Sequence, residues 1–115
     1  MWKEKTNQVG KYYANIIPSE KINSEKKKEL TYFAKDNFWT KDFPTTASAK
    51  FLVNFRPSQN AFVVELLEAK KKVLLGKTVL DEFACGGTGL HAATGPIFNP
   101  YNSSCIAGGS SSGSA

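Results

Sequence analysis

Apolar positions along the chain gather into short stretches separated by polar loops, and their spacing changes from stretch to stretch. Residues 1–30 show no strong apolar face. Pro18-Ser19-Glu20 carries helix-start chemistry, and Ser24 followed by residues 25–29 predicts a second short helix. Tyr32-Phe33-Ala34 is a short apolar run closed by Lys35-Asp36-Asn37, which predicts a buried strand. Phe38 to Pro44 reads as loop, with Pro44 biasing Phe43 toward extended backbone. Thr45-Thr46-Ala47-Ser48 then leads into Phe51-Leu52-Val53. After Arg56-Pro57-Ser58-Gln59-Asn60 the period becomes helical. Phe62, Leu66, Ala69 and Val73 recur at spacings of four, three and four, which predicts an amphipathic helix from Ala61. Lys70, Lys71 and Lys72 suit the negative end of its dipole. Val73-Leu74-Leu75, bounded by Gly76, predicts a buried parallel strand fed by that helix. The helix-then-strand order places the chain in the α/β class.

Composition changes toward the end. Eight of the nine glycines fall at or after Gly76. Residues 107–115 are almost all Gly and Ser, so composition alone reads them as a flexible linker. The organisation expected is a lysine-rich, weakly helical lead-in over residues 1–30 and one domain portion over residues 31–115.

The chain has 115 residues, 41% of them hydrophobic, and a net charge of +5, which suits one modest domain with a core rather than a disordered chain. Fourteen lysines stand against a single arginine, Arg56. A reader of nucleic-acid bases favours arginine and interleaved aromatics, so the charge reads as solvated surface. No apolar run is long enough to cross a membrane, and the basic start leads into no signal-peptide core; a cytoplasmic protein is expected. Cys85 and Cys105 are too far apart for a metal or redox pair, and His91 is the single histidine, so no structural zinc site is expected and the thiols are expected to be free.

Four segments, in order, carry a resemblance. They are Ala34-Lys35-Asp36-Asn37, Thr45 to Leu52, Gly76 to Ala84, and Gly95-Pro96-Ile97-Phe98-Asn99-Pro100 leading into Gly108-Gly109-Ser110-Ser111-Ser112-Gly113-Ser114-Ala115. Together they resemble the amidase-signature family, and the Gly76–Ala84 segment resembles most the A subunits of glutamyl-tRNA(Gln) amidotransferases. The 75 residues between Lys35 and Ser110 are the separation usual in that family. Two departures stand out: Leu30-Thr31-Tyr32 replaces the family's Gly-Ile-Pro, and Lys70-Lys71 replaces the Ala-Gly that ends its helix. The first thirty residues match no part of the pattern.

The resemblance implies a partial amidase-signature fold, a mixed central sheet flanked by helices, incomplete in this chain. It also implies an amide hydrolase with a Ser–cisSer–Lys triad. Amide hydrolysis needs a nucleophile, a base and oxyanion donors, and Ser-Lys arrangements replace the usual histidine in some enzymes. Lysine serves as base where burial or a neighbouring cation lowers its pKa. By resemblance Lys35 is the base, and the buried strand end is expected to desolvate it. Ser110 is the relay serine, with a cis peptide bond before it, and Ser111 supports the pair. Gly86, Gly87 and Thr88 are placed at the wall of the substrate pocket. The nucleophile is implied to lie beyond residue 115, in an Asp-Thr-Gly-Gly-Ser segment, so the chain is expected to be inert alone. Unpaired strand edges and apolar surface are expected to make it aggregate.

What the resemblance implies further is hydrolysis of glutamine to ammonia, which the B subunit uses to amidate Glu-tRNA(Gln), with the C subunit bracing the pair. No cofactor is implied for this chain; ATP and magnesium belong to the B subunit, and contact with tRNA is indirect. The alternatives are a stand-alone amidase on small amides and a catalytically inert truncated remnant. Several residues have plainer readings. His91 reads as an ordinary structural or exposed histidine, and Cys85 as a small core residue. Asp81 and Glu82 are adjacent, would point to opposite faces of a strand, and read as structural. The Gly86-Gly87-Thr88-Gly89 loop lacks the Gly-Lys-Ser/Thr of a phosphate-binding loop.

Overall fold

The computed structural model describes residues 30–115 together with the strand Ile17–Pro18. Of the two helices expected before residue 30, Ser19-Glu20 and residues 24–29 lie outside the described residues, and Pro18 itself is in a strand, β1 (Ile17–Pro18). The elements that follow are β2 (Thr31–Lys35), helix α1 (Phe62–Ala69), β3 (Val73–Thr78), β4 (Phe98–Asn99) and β5 (Asn102–Ile106), with single 3₁₀ turns at Lys50–Leu52 and Glu82–Ala84. The sheet order is β1-β3-β2. β2 runs parallel to β3 and β1 antiparallel to it, so the expected mixed sheet is present.

Position in the sheet explains how the two expected strands differ from their sequence readings. β3 is central, and its residues from Leu75 to Thr78 are buried. It runs three residues beyond the expected end at Leu75, because Gly76 pairs with Pro18 on one side and Phe33 on the other; a glycine paired on both edges does not terminate a strand. β2 lies at the end of the three strands, and only Ala34 in it is buried. The expectation of a buried strand around Lys35 is therefore corrected to a half-buried one. A register shift between Tyr32 and Phe33 leaves Leu75 as the extra residue of a β-bulge. Beyond it Ala34 pairs with Lys77 and Lys35 with Thr78.

The β2–α1–β3 crossover brings the C-terminal ends of two parallel strands side by side, the edge where open α/β sheets place their ligands. α1 forms where its period predicts, but its apolar stripe faces outward: Phe62 is 79% exposed and Leu66 44%, while Val64 is buried. The helix is fixed at its ends instead. The Ala61 N–H donates to Trp39 O at 2.9 Å, and the Asn60 side chain bridges the Lys41 N–H and the Glu68 carboxylate. At its C-terminus Lys71 N–H donates to Glu68 O and Lys72 N–H to Leu67 O, the two bonds of a Schellman motif. Lys71 takes the left-handed position, with φ 56°. The three lysines thus form the turn into β3, and Val73 belongs to the strand rather than the helix.

Ala34, Phe43, Ala49, Val64, Leu75, Val79, Leu80 and Ile97 make the core. The Gly/Ser end is packed onto it and is not a linker. Gly113 N–H donates to Val79 O at 2.9 Å, and a Cβ on Gly113 would stand 2.6 Å from Val79 N. Only glycine allows that approach. The β4–β5 hairpin, which composition did not reveal, leads into this segment.

Candidate active site

Two strand ends and three loops build the site. Alternation along β2 and β3 sends Lys35 and Thr78 to one face of the sheet and Ala34 and Lys77 to the other. On the first face the Lys35 ammonium donates to Ser110 Oγ at 2.8 Å, and Thr78 Oγ1 shares a hydrogen bond with Ser114 Oγ at 2.9 Å. Two hydroxyls of the Gly/Ser segment therefore meet two neighbouring residues of the parallel pair. Both Lys35 and Ser110 are half-buried. The peptide bond between Gly109 and Ser110 is cis. Ser111 is exposed and its carbonyl accepts the Ser114 and Ala115 N–H groups. Ser112 is buried, and its Cβ lies against Gly89.

The opposite face holds a charged clasp. The Lys77 ammonium is 1% exposed and lies 2.9 Å from Asp36 Oδ1. It also donates to Phe38 O, Thr45 Oγ1, Thr40 Oγ1 and Pro44 O, at 2.9 to 3.4 Å. Burial pushes the Lys77 amine below its ordinary pKa, while the charge and hydrogen bond of Asp36 oppose that shift. The other carboxylate oxygen of Asp36 accepts from the Thr46 N–H and hydroxyl. Ser48 Oγ accepts the Leu80 N–H. Ala47 and Ser48 both have positive φ, the tight path that aims these side chains at the two strand ends. The clasp fixes the backbone from which Lys35 projects.

A second buried acid, Asp81, organises the loop beside Ser110. Its N–H donates to Ser110 O at 3.0 Å. Its carboxylate accepts Gly89 N–H and His91 N–H, each at 3.0 Å. Burial pushes the Asp81 carboxyl up, but the N–H groups of Gly89, His91 and Thr88 and the His91 charge outweigh it and hold it below the ordinary range. Gly86 and Gly87 are exposed and Thr88 is half-buried. Their loop reaches the segment that carries Ser110, since a Cβ on Gly109 would stand 3.2 Å from the Gly87 carbonyl carbon. His91 is exposed. Cys85 is exposed as well, which corrects its reading as a core residue: the 3₁₀ turn at Glu82–Ala84 carries the chain outward, and the Cys85 thiol contacts only Phe83 O, at 3.5 Å, among the hydrogen bonds described. Among the described residues no three His, Cys, Asp or Glu side chains group to hold a metal ion.

The amidase family model matches residues 30–115. The chain belongs to the amidase family. It is 50% identical over 103 residues to the A subunit of the glutamyl-tRNA(Gln) amidotransferase of Mycoplasma genitalium, covering 86% of this chain and 22% of that protein. The mitochondrial A subunit of Eremothecium gossypii is 43% identical over 102 residues, covering 87% of this chain and 21% of that protein. Among solved structures, the corresponding A subunit from Thermotoga maritima superposes with a TM-score of 0.78 at 28% identity, covering 96% of this chain and 26% of that one. The Kluyveromyces lactis allophanate hydrolase superposes at 0.71 with 37% identity, covering 75% and 14%. The chain thus spans about a fifth of the length of the curated relatives it matches. Residues 30–115 alone cannot supply 86% of the chain, so similarity extends into the first thirty residues, contrary to the expectation that they match nothing. Among the described residues no helix is long and apolar enough to cross a membrane.

Sequence reasoning singled out Lys35 and Ser110, and they meet. It passed over Lys77, Asp36 as a clasp, and the Thr78–Ser114 pair. The available signal was a lysine inside an apolar run that proves to be the central strand, where a charge needs a partner.

Proposed function

We propose that the chain is the base-and-relay part of a glutamine-hydrolysing amidase, the A subunit of a glutamyl-tRNA(Gln) amidotransferase. The observation that carries this reading is the 2.8 Å contact from Lys35 Nζ to Ser110 Oγ across 75 residues of sequence. With the amine neutral, Lys35 takes the Ser110 proton as Ser110 takes that of the attacking serine, which family resemblance places beyond residue 115. The serine oxygen bonds to the amide carbon, and the carbon–nitrogen bond breaks as the relay returns the proton to departing ammonia. Water then releases glutamate. In this reading Ser111 lies beside the pair, Gly86, Gly87 and Thr88 border the substrate, and the B and C subunits carry ammonia transfer to Glu-tRNA(Gln). ATP and magnesium act on the B subunit. The 50% and 43% identities to two A subunits, over 103 and 102 residues, support this reading over a stand-alone amidase on small amides.

The test is a chimera in which residues 30–115 replace the matching segment of the Thermotoga maritima A subunit, assayed for ammonia release from glutamine. Lys35→Met and Ser110→Ala are each expected to lower kcat by about a hundredfold or more, the scale of a lost acid–base step. An active chimera that keeps its rate after either change refutes the proposal.

A further inference from the structure

The geometry assigns Asp81 a positioning role: we infer that its carboxylate, held under Gly109 by the Gly86–His91 loop, sets where Ser110 stands relative to Lys35. This rests on the reading of Lys35 and Ser110 as a working pair and adds a residue that never touches the reacting atoms. Asp81 has no measurable exposure. Its two carboxylate oxygens accept the N–H groups of Gly89 and His91, which closes residues 86–91 into a loop around it. The relay segment then rests on that carboxylate. A Cβ on Gly109 would stand 2.2 Å from Asp81 Oδ2 and 3.1 Å from Gly89 N, and one on Gly86 would stand 2.8 Å from the same oxygen. Gly89, at φ +79°, lies close enough that a Cβ there would stand 2.9 Å from Gly108 O and 2.8 Å from Ser112 Cβ. Asp81 therefore holds Ser110 twice. Its own N–H binds the Ser110 carbonyl, and its carboxylate fixes the loop packed against the preceding residue.

The backbone bond survives any substitution, so the side chain's part is separable. In Asp81→Asn one acceptor oxygen becomes an NH₂ facing an N–H that it cannot accept, and the loop must open on that side. Ser110 loses its support from the Gly109 side, and Lys35 loses its partner. The prediction concerns Lys35 alone, because Lys77 sits on the other face of the sheet with its own five oxygens.

Competitive acetylation of the 115-residue chain, followed residue by residue with mass spectrometry, tests this without turnover. Ser110→Ala is the reference and is expected to raise Lys35 labelling about three- to tenfold relative to exposed Lys50, the effect of one lost hydrogen bond. Asp81→Asn is expected to raise it by the same factor while Lys77 stays protected; Glu82→Gln, at the exposed neighbour, is expected to change nothing. If Ser110→Ala leaves Lys35 unchanged, the Lys35–Ser110 reading itself falls. If Ser110→Ala releases Lys35 and Asp81→Asn does not, the positioning role is overturned. Should Asp81→Asn expose Lys77 as well, Gly109→Ala decides: it drives a methyl against the carboxylate while leaving Asp81 intact. Lys35 released with Lys77 protected upholds the role, and no release refutes it.

Discussion

Changing Lys77 to methionine removes a buried cation while keeping an unbranched side chain of similar reach. Asp36 Oδ1 then loses its ion-pair partner at 2.9 Å, and the oxygens of Phe38, Thr45, Thr40 and Pro44 lose the ammonium, with Phe38 O keeping the Thr45 hydroxyl as a donor. The two hydroxyls can rotate toward other acceptors, but the carboxylate cannot reach water, since Asp36 is 5% exposed. Breaking a buried ion pair from one side costs about 3–5 kcal/mol, a large share of the roughly 5–15 kcal/mol that holds a domain together. Urea unfolding followed by tryptophan fluorescence measures it, with Trp39 as reporter beside Phe55 at 5.9 Å. Adding Asp36→Leu to Lys77→Met removes the stranded charge, so the double change is expected to cost less than the sum of the singles by about 1–3 kcal/mol. A loss below about 1 kcal/mol for Lys77→Met, or strict additivity in the pair, would refute the clasp.

Two further outcomes follow from local geometry. Lys71 occupies the left-handed position of the Schellman turn, where a side chain costs about 1–2 kcal/mol; Lys71→Gly is expected to raise the thermal midpoint, and an unchanged or lowered midpoint would contradict the assignment. Because the Asp81 carboxyl is held below its ordinary value, the unfolded chain takes up its proton first as pH falls. The stability Asp81 supplies is therefore complete above about pH 4, the unfolded carboxylate value, and is lost as pH drops through the lower folded value. Urea midpoints across that range should fall more steeply in the native sequence than in Asp81→Asn; parallel slopes would disprove it.

How much of this was legible beforehand depended on which interactions leave a local trace. β2 and α1 follow from runs and periods in their own residues, although α1 stops at Ala69 and leaves Val73, the last position of its period, to β3. The direction of α1's apolar stripe does not follow. Phe62 and Leu66 fit a helical face by spacing, yet the helix is tied down through Asn60, Ala61 and the Lys71 turn, so Val64 alone is buried. The strand end at Gly76 failed for a similar reason: glycine's tendency to break strands is weaker than two flanking partners, which only the tertiary fold supplies. Cys85 went wrong because a residue beside apolar neighbours looks like core until a turn, here with Phe83 at φ 54°, swings it outward. Lys35 and Ser110 were legible only through the ordered motifs, since nothing in either residue's neighbourhood distinguishes it from a surface lysine or a linker serine.

The motifs themselves have a physical reading that no single one of them displays. In Lys35-Asp36 the first residue turns to Ser110 and the second to the clasp. In Lys77-Thr78 the order is reversed, with the lysine in the clasp and the threonine bonded to Ser114. Thr45, Thr46 and Ser48 supply the hydroxyls that tie Lys77, Asp36 and the Leu80 backbone together. Each strand end therefore turns one residue to the Gly/Ser segment and its neighbour to the clasp that joins the two strand ends. A one-residue slip between β2 and β3 would exchange those faces, placing Lys35 in the clasp and withdrawing it from Ser110. The buried charges on the far face thus bear directly on the lysine–serine contact.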